Sequence, residues 1–125
     1  MAMITPGTLN MDMYAGADFQ YDLLFEIDGV PANLTGWDAR FKARIDYAAA
    51  AAIIEGDVAG GEITLGGSTG TIQINVDNLA TTAAGAALGN AKTPLVWDLE
   101  LIDTTGFVTR LLQGLLTVWP EATRT

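Results

Sequence analysis

Two segments of the chain alternate apolar and polar residues too regularly to be helices. From 18 to 28 every odd position is apolar and every even position except Leu24 is polar. From 37 to 46 the odd positions are again apolar, and the even positions are all charged. Successive side chains of a β-strand point to opposite faces of its sheet. Each segment is therefore predicted to be a strand with one buried and one solvated face.

Further strands follow, separated by turn residues. They are predicted over 62–65, 71–76, 95–102 and 107–118, the last as one long strand or two. The glycine-rich stretch 66–70 has the composition of a hairpin loop. Either Asp77 or Asn78 is placed to cap a short helix that runs through the following alanines to residue 88. The alanine-rich segment 47–52 fits a helical turn or a strand edge, and Gly114 is predicted to mark a bulge.

The spacing of these strands predicts an all-β domain. Seven or eight strands at intervals of about 8–12 residues are typical of a sandwich or a barrel. The chain has 125 residues, which is enough for one domain with its own core. We expect the β-sandwich domain to span 18–125. Residues 1–17 are expected to form an N-terminal arm or first strand that can contact a partner.

The composition excludes most site chemistry. The chain has no cysteine and no histidine, so it lacks the usual nucleophile–base pairs and transition-metal ligands. We expect no enzyme activity, no cofactor and no metal site, although calcium binding by surface acids stays open. The net charge of −9 argues against nucleic acid and anionic membranes as partners. No signal peptide and no apolar run of membrane-spanning length is recognised.

The last strand has apolar residues on both faces. Its even positions from 112 to 118 are predicted to face the core, yet Leu111, Leu115 and Trp119 are large and apolar on the other side. Either the N-terminal segment folds across this strand, or another subunit covers it. The predicted partner contacts are Met3, Ile4, Leu9, Met11, Met13, Leu111, Leu115, Thr117 and Trp119.

Charged residues are predicted to pair across strands. The basic face of 37–46 is expected to lie against the acidic face of 18–28, because the two segments are consecutive. Asp98 and Glu100 are expected to lie beside Arg110 on the following strand. Exposed pairs of this kind contribute about 0.2–1 kcal/mol each, so they are interpreted as fold maintenance.

Three segments together resemble a known group of proteins. They are DGVPANLTGW at 28–37 with Arg40 and Arg44 after it, WDLEL at 97–101, and GFVTRLLQG at 106–114 with its continuation to Arg124. This set resembles small virion-associated proteins of tailed phages and prophages. These are similar to the immunoglobulin-like sandwich modules of tail, baseplate and fibre-attachment proteins. Trp97 stands where that pattern has tyrosine, and Leu115 and Trp119 stand where it has polar residues.

The resemblance implies an immunoglobulin-like β-sandwich of about seven to eight antiparallel strands with one short helical crossover. It implies a structural or adaptor protein of the virion, made in the host cytoplasm and present in multiple copies or as a homo-oligomer. Its partners would be other virion proteins. One alternative is a capsid decoration protein of the same fold. The other is a carbohydrate- or receptor-binding module, for which Trp97, Trp119 and Tyr47 are the candidate aromatic residues.

Overall fold

The structure is a computed structural model, and it describes residues 6–124. The elements in this range are β1 (Gly7–Thr8), β2 (Met11–Tyr14), β3 (Phe19–Leu24), β4 (Glu26–Ile27), β5 (Val30–Pro31), β6 (Asp38–Arg44), β7 (Ile54–Asp57), β8 (Ile63–Leu65), a 3₁₀ turn (Gly67–Thr69), β9 (Thr71–Val76), α1 (Asn78–Ala87), β10 (Thr93–Ile102) and β11 (Val108–Trp119). Eight of these strands are longer than two residues, in agreement with the predicted seven to eight. The 3₁₀ turn lies in the predicted glycine-rich loop.

The strands form two main sheets. The large sheet has the order β1–β11–β10–β6–β7, with β2 also paired to β11. The small sheet has the order β3–β9–β8, and β4 and β5 form a separate hairpin. All pairs are antiparallel except those of β1 and β2, which run parallel to β11. Seven strands longer than two residues pair antiparallel, as predicted, and the parallel pairing of β1 and β2 with β11 is a feature that the sequence did not indicate.

This strand order is that of an immunoglobulin-like sandwich, as predicted. In that fold strands A, B, E and D form one sheet, and C, F and G form the other, to which variable-type domains add C′. Here β6, β7, β10 and β11 take the places of C, C′, F and G, while β3, β8 and β9 take those of B, D and E. Strands β1 and β2 pair with β11 rather than with β3, so β3 is the last strand of its sheet in the described part of the chain.

One hydrophobic core lies between the sheets. Strand β10 contributes Leu95, Trp97, Leu99 and Leu101, none of which is more than 1% exposed. The facing side chains from β9 are Ile72, Ile74 and Val76, which are also buried. These are the inward rows that the period-two alternation predicts.

The first strand is part of this sandwich. Met11 and Met13 pair with Leu116 and Val118 of β11, and all four side chains are buried. Of the two descriptions given to residues 1–17, arm or first strand, the structure shows a strand over the described portion.

Helix α1 crosses from the small sheet to the large sheet. Its N-cap is Asp77, whose side chain accepts a hydrogen bond from the Ala80 amide at 2.9 Å, which confirms one of the two predicted caps. Thr81 on the first turn is fully buried. Its hydroxyl accepts from the Gly16 amide at 3.1 Å and donates to the Ala17 carbonyl at 2.9 Å. The helix thereby holds the turn between β2 and β3.

Two predicted strand boundaries were too long. Strand β3 ends at Leu24 because the Phe25 amide bonds to the Gly70 carbonyl and the chain then enters the β4–β5 hairpin. Ile27 and Ile45, predicted to face the core, are 52% and 55% exposed. Strand β7 was not predicted, because Ile54–Asp57 contains a glycine and shows no clear alternation.

The bulge in β11 lies at Leu111 rather than at Gly114. Leu99 pairs with Leu112 and Glu100 with Arg110, so Leu111 is the extra residue. Gly114 is needed for a close contact instead, because a Cβ at this position would overlap the Leu9 carbonyl oxygen. The glycine lets the N-terminal chain approach β11 closely.

Candidate interaction surface

The outer face of the large sheet carries the predicted contacts of β11. Leu115 is 45% exposed and lies opposite Val96 of β10. Thr117 lies two positions further along, half-buried, between Pro94 and Asp12. An exposed leucine next to a half-buried valine in the middle of a sheet forms a small apolar patch that a partner can cover.

Trp119 is held by contacts within the chain. Its ring stacks on Tyr14 with centroids 6.3 Å apart, and the Lys92 ammonium lies 4.1 Å from the ring centroid. Its indole N–H donates to Asp12 Oδ1 at 2.9 Å. These contacts leave Trp119 half-buried, whereas Tyr14 is 58% exposed. A rigid aromatic pair with one open ring is suited to anchor a protein partner.

The partner contacts predicted in the N-terminal segment are mostly not on this surface. Met11 and Met13 are 6% and 1% exposed, so they cannot touch a partner, and that prediction was wrong because they face the core. Leu9 is half-buried, and its carbonyl accepts the Trp97 indole N–H at 2.8 Å. Met3 and Ile4 lie outside the described residues.

The N-terminal strand therefore does not fold across β11. It lies beside that strand in the same sheet, and it adds Asp12 and Tyr14 to the outer face. Leu111, at the bulge, packs against the edge of the core rather than in line with Leu115. The apolar outer side of Leu115 thus remains uncovered in the described chain.

Charged columns of alternating sign cover the other half of this face. Strand β6 presents three basic side chains, and both of its neighbours, β7 and β10, present acids. Arg40 Nε lies 2.7 Å from Glu100 Oε1, Lys42 Nζ lies 3.7 Å from Glu55 Oε2, and Arg110 Nη2 lies 3.5 Å from Asp98 Oδ2. The Asp98–Arg110 pair confirms the prediction for the last hairpin.

The predicted partner of the basic row was wrong. Strand β3 pairs with β9 in the other sheet, so its acids cannot face β6. The connection between consecutive strands here crosses from sheet to sheet, whereas the prediction assumed a hairpin. The acids that do face β6 come from β10, which is distant in sequence, and from β7, which was not predicted as a strand.

A shallow cavity of about 380 Å³ lies over these columns. Its polar lining includes Arg40, Lys42, Arg44, Tyr47, Asp98 and Arg110. Burial raises the pKa of the Asp98 carboxyl, and the neighbouring Arg110 opposes that shift. Arg44 donates to the carbonyls of Ala49 and Ala50, both at 3.2 Å, which fixes the 47–52 loop beside the cavity.

Sequence reasoning missed Tyr14, Val96 and Lys92 as members of this surface. The alternation in Met11–Tyr14 carried a signal, since it places Asp12 and Tyr14 on one face. Lys92 precedes β10, and no local pattern indicates that its side chain reaches Trp119.

Other site types find little support among residues 6–124. No group of three acidic side chains there is placed to hold a metal ion. Trp97, one of the candidate aromatic residues for sugar binding, is 1% exposed and cannot stack on a ligand. Of the other two, Tyr47 is 64% exposed and Trp119 is engaged by Tyr14 and Lys92. The described helix is too short to cross a lipid bilayer.

Comparison with known proteins defines no family for this chain. No protein-family model and no curated protein matches the sequence. Among solved structures, similar folds include the extracellular domain of the voltage-gated sodium channel beta4 subunit, at 13% identity over 97% of this chain and 98% of that chain, with a TM-score of 0.42. A second sodium channel beta-subunit structure has 13% identity over 97% and 100%, with a TM-score of 0.46. Murine CRIg has 11% identity over 94% and 95%, with a TM-score of 0.34. The strand order of the protein itself is that of an immunoglobulin-like β-sandwich.

Proposed function

We propose that this protein is a structural or adaptor component of a tailed-phage virion, in the tail, baseplate or fibre-attachment region. It acts through protein–protein contacts rather than catalysis. The observation that carries the contact role is the outer face of the large sheet. There Leu115 is exposed opposite Val96. The open ring of Tyr14 stacks on Trp119, whose indole N–H donates to Asp12.

The virion assignment is supported by the three sequence segments that resemble phage proteins. Several of their residues build turns of this sandwich. Asp28 and Gly29 in the β4–β5 hairpin, Gly36 before β6 and Gly106 before β11 all have positive φ angles. Positive φ favours glycine and, less strongly, asparagine or aspartate. The shared pattern thus matches the demands of this fold, and the proposed partners are other virion proteins that bind repeated copies of it.

Immunogold labelling of intact particles tests the location. We expect gold at the tail tip or fibres. Labelling spread over the head would replace this proposal with the alternative of a capsid decoration protein. An absence of gold from both intact and disrupted particles would refute a virion role altogether.

A pair of leucine variants tests the contact face. Leu115→Asp places a charge in the apolar patch, and we expect it to fold normally while failing to enter particles. Leu79→Asp is the matched control, because Leu79 is 76% exposed and lies on helix α1 rather than on a strand of the large sheet. Equal incorporation of both variants, measured by quantitative blotting of purified particles, would show that this face is not the contact.

A further inference from the structure

Strand β3 presents an open edge. It is the last strand of the small sheet and pairs only with β9 among the described residues. In the immunoglobulin fold this edge belongs beside strand A. Here that strand is paired with β11 in the other sheet, so no residue between 6 and 124 pairs with β3 on the side away from β9.

The backbone groups that face this edge can be assigned. The Asn75 amide donates to the Glu62 carbonyl on the β8 side of β9 at 2.7 Å. Backbone groups alternate sides along a strand, so those of Ile74 point to β3 and bond with Tyr21. It follows that the N–H and C=O groups of Gln20, Asp22 and Leu24 point away from the sheet.

The inward side chains of β3 are correspondingly under-covered. Phe19, Tyr21 and Leu23 are only half-buried. Their partners on β9 are Val76, Ile74 and Ile72, which are 3%, 1% and 0% exposed. Burial falls from complete to partial across one strand spacing, because nothing in the described chain covers the side of β3 away from β9.

The edge also lacks the usual protection. Strand β3 has no proline, no lysine and no bulge, which are devices that block strand addition. The other edge strands of the two main sheets are shorter, with two residues in β1, four in β2, four in β7 and three in β8 against six in β3. Segments 18–31 and 62–87, which form the small sheet and its neighbours, contain six acidic residues and no basic one.

We propose that the β3 edge binds an extended segment of a partner protein as an added strand, and that this segment alternates apolar and basic residues. Its backbone pairs with Gln20, Asp22 and Leu24. Its apolar side chains cover Phe19, Tyr21 and Leu23, and its basic side chains lie beside Asp22 on the outer, acidic face. This site is separate from the large-sheet face and does not depend on the virion assignment.

The test uses a defined peptide and the full chain. A nine-residue peptide of alternating lysine and valine is titrated into isotope-labelled protein, and amide shifts and amide exchange are followed by NMR. We expect saturable shifts and new protection at Gln20, Asp22 and Leu24. A peptide alternating glutamate and valine is expected to bind at least about tenfold more weakly, because it meets an acidic face.

Proline variants separate the edge from other binding modes. Gln20→Pro removes an N–H that the fold does not use, so the protein is expected to fold while losing peptide binding. Gln20→Ala is the matched control, since it removes the same side chain and keeps the N–H, whereas Asp22→Asn is expected to weaken binding of the lysine peptide without abolishing it. Peptide binding that survives Gln20→Pro, or shifts confined to other strands, would overturn the proposal.

Other occupants of the edge give different results. If the protein alone forms a dimer in sedimentation that Gln20→Pro dissociates, a second copy occupies the edge and the basic partner is ruled out. If the Gln20, Asp22 and Leu24 amides are already protected in the monomer before peptide is added, the chain covers its own edge, which also overturns the proposal.

Discussion

The two sheets of this sandwich differ in how completely they bury their inward side chains and in how the charges on their outer faces are balanced. In the large sheet β10 has neighbours on both sides, and its inward side chains are no more than 1% exposed. In the small sheet β3 has one neighbour within residues 6–124, and its inward side chains are half-buried. Both strands show clean alternation in the sequence. The comparison teaches that alternation predicts which side chains face inward, while completeness of burial depends on what lies beside the strand.

The outer faces differ in their electrostatics as well. On the large sheet, columns of opposite charge stand side by side, as in the Arg40–Glu100 pair at 2.7 Å. On the small sheet Asp22 is hydrogen-bonded by the amides of Gln20 and Gln73, both uncharged. One face is internally balanced, whereas the other offers negative charge to a partner.

The largest expected effect comes from a matched pair of leucines. Leu99→Ala in β10 is expected to lower the free energy of unfolding by about 2–5 kcal/mol, because Leu99 is fully buried. Leu23→Ala in β3 is expected to cost less than half as much, since its side chain is only half-buried. Urea denaturation of both variants measures the difference. Equal losses would mean that the β3 edge is covered in solution.

A smaller loss of stability is expected at the edge of the large sheet where β1 and β2 pair with β11. Gly114→Ala would push a Cβ into the Leu9 carbonyl, and we expect a loss of about 1–3 kcal/mol from this overpacking. The bond from the Leu9 amide to the Gln113 carbonyl, 2.9 Å in the structure, should lose exchange protection. Thr117→Ala on the same strand serves as the control. Unchanged protection at Leu9 in Gly114→Ala would show that the first strand does not depend on this close approach.

Much of the fold follows from local pattern. Period-two alternation located β6, β9 and most of β10, and Asp77 indicated the helix start. Local pattern failed where a partner strand is remote in sequence. The first strand pairs with residues about one hundred positions away, and nothing in Met11–Tyr14 distinguishes β11 from β3 as its neighbour.

The candidate surface was predictable only in part, for the same reason. Leu115 and Trp119 were found because they break the rule of one polar face within a single strand, and Thr117 lies between them on the same face. The partner of the basic row in β6 was predicted wrongly because that pairing needs the sheet order. Met11 and Met13 were placed outside because their depth depends on β11. The pattern within one strand identifies which side chains share a face, and the strand order determines which residues of other strands lie beside them.

The smallest expected effect compares one charge from each face. Glu100→Gln breaks the pair with Arg40 and is expected to lower the free energy of unfolding by about 0.2–1 kcal/mol at low salt, and less at high salt. Asp22→Asn removes a charge that has no basic neighbour in the small sheet, and its retained carbonyl can still accept from Gln73. We expect it to change stability by no more than about 0.5 kcal/mol, without the same salt dependence. Urea titrations of both variants at two ionic strengths measure these losses of stability. If Asp22→Asn lost as much stability as Glu100→Gln, with the same salt dependence, Asp22 would have a cationic partner within the chain. The two outer faces would then not differ in their charge balance.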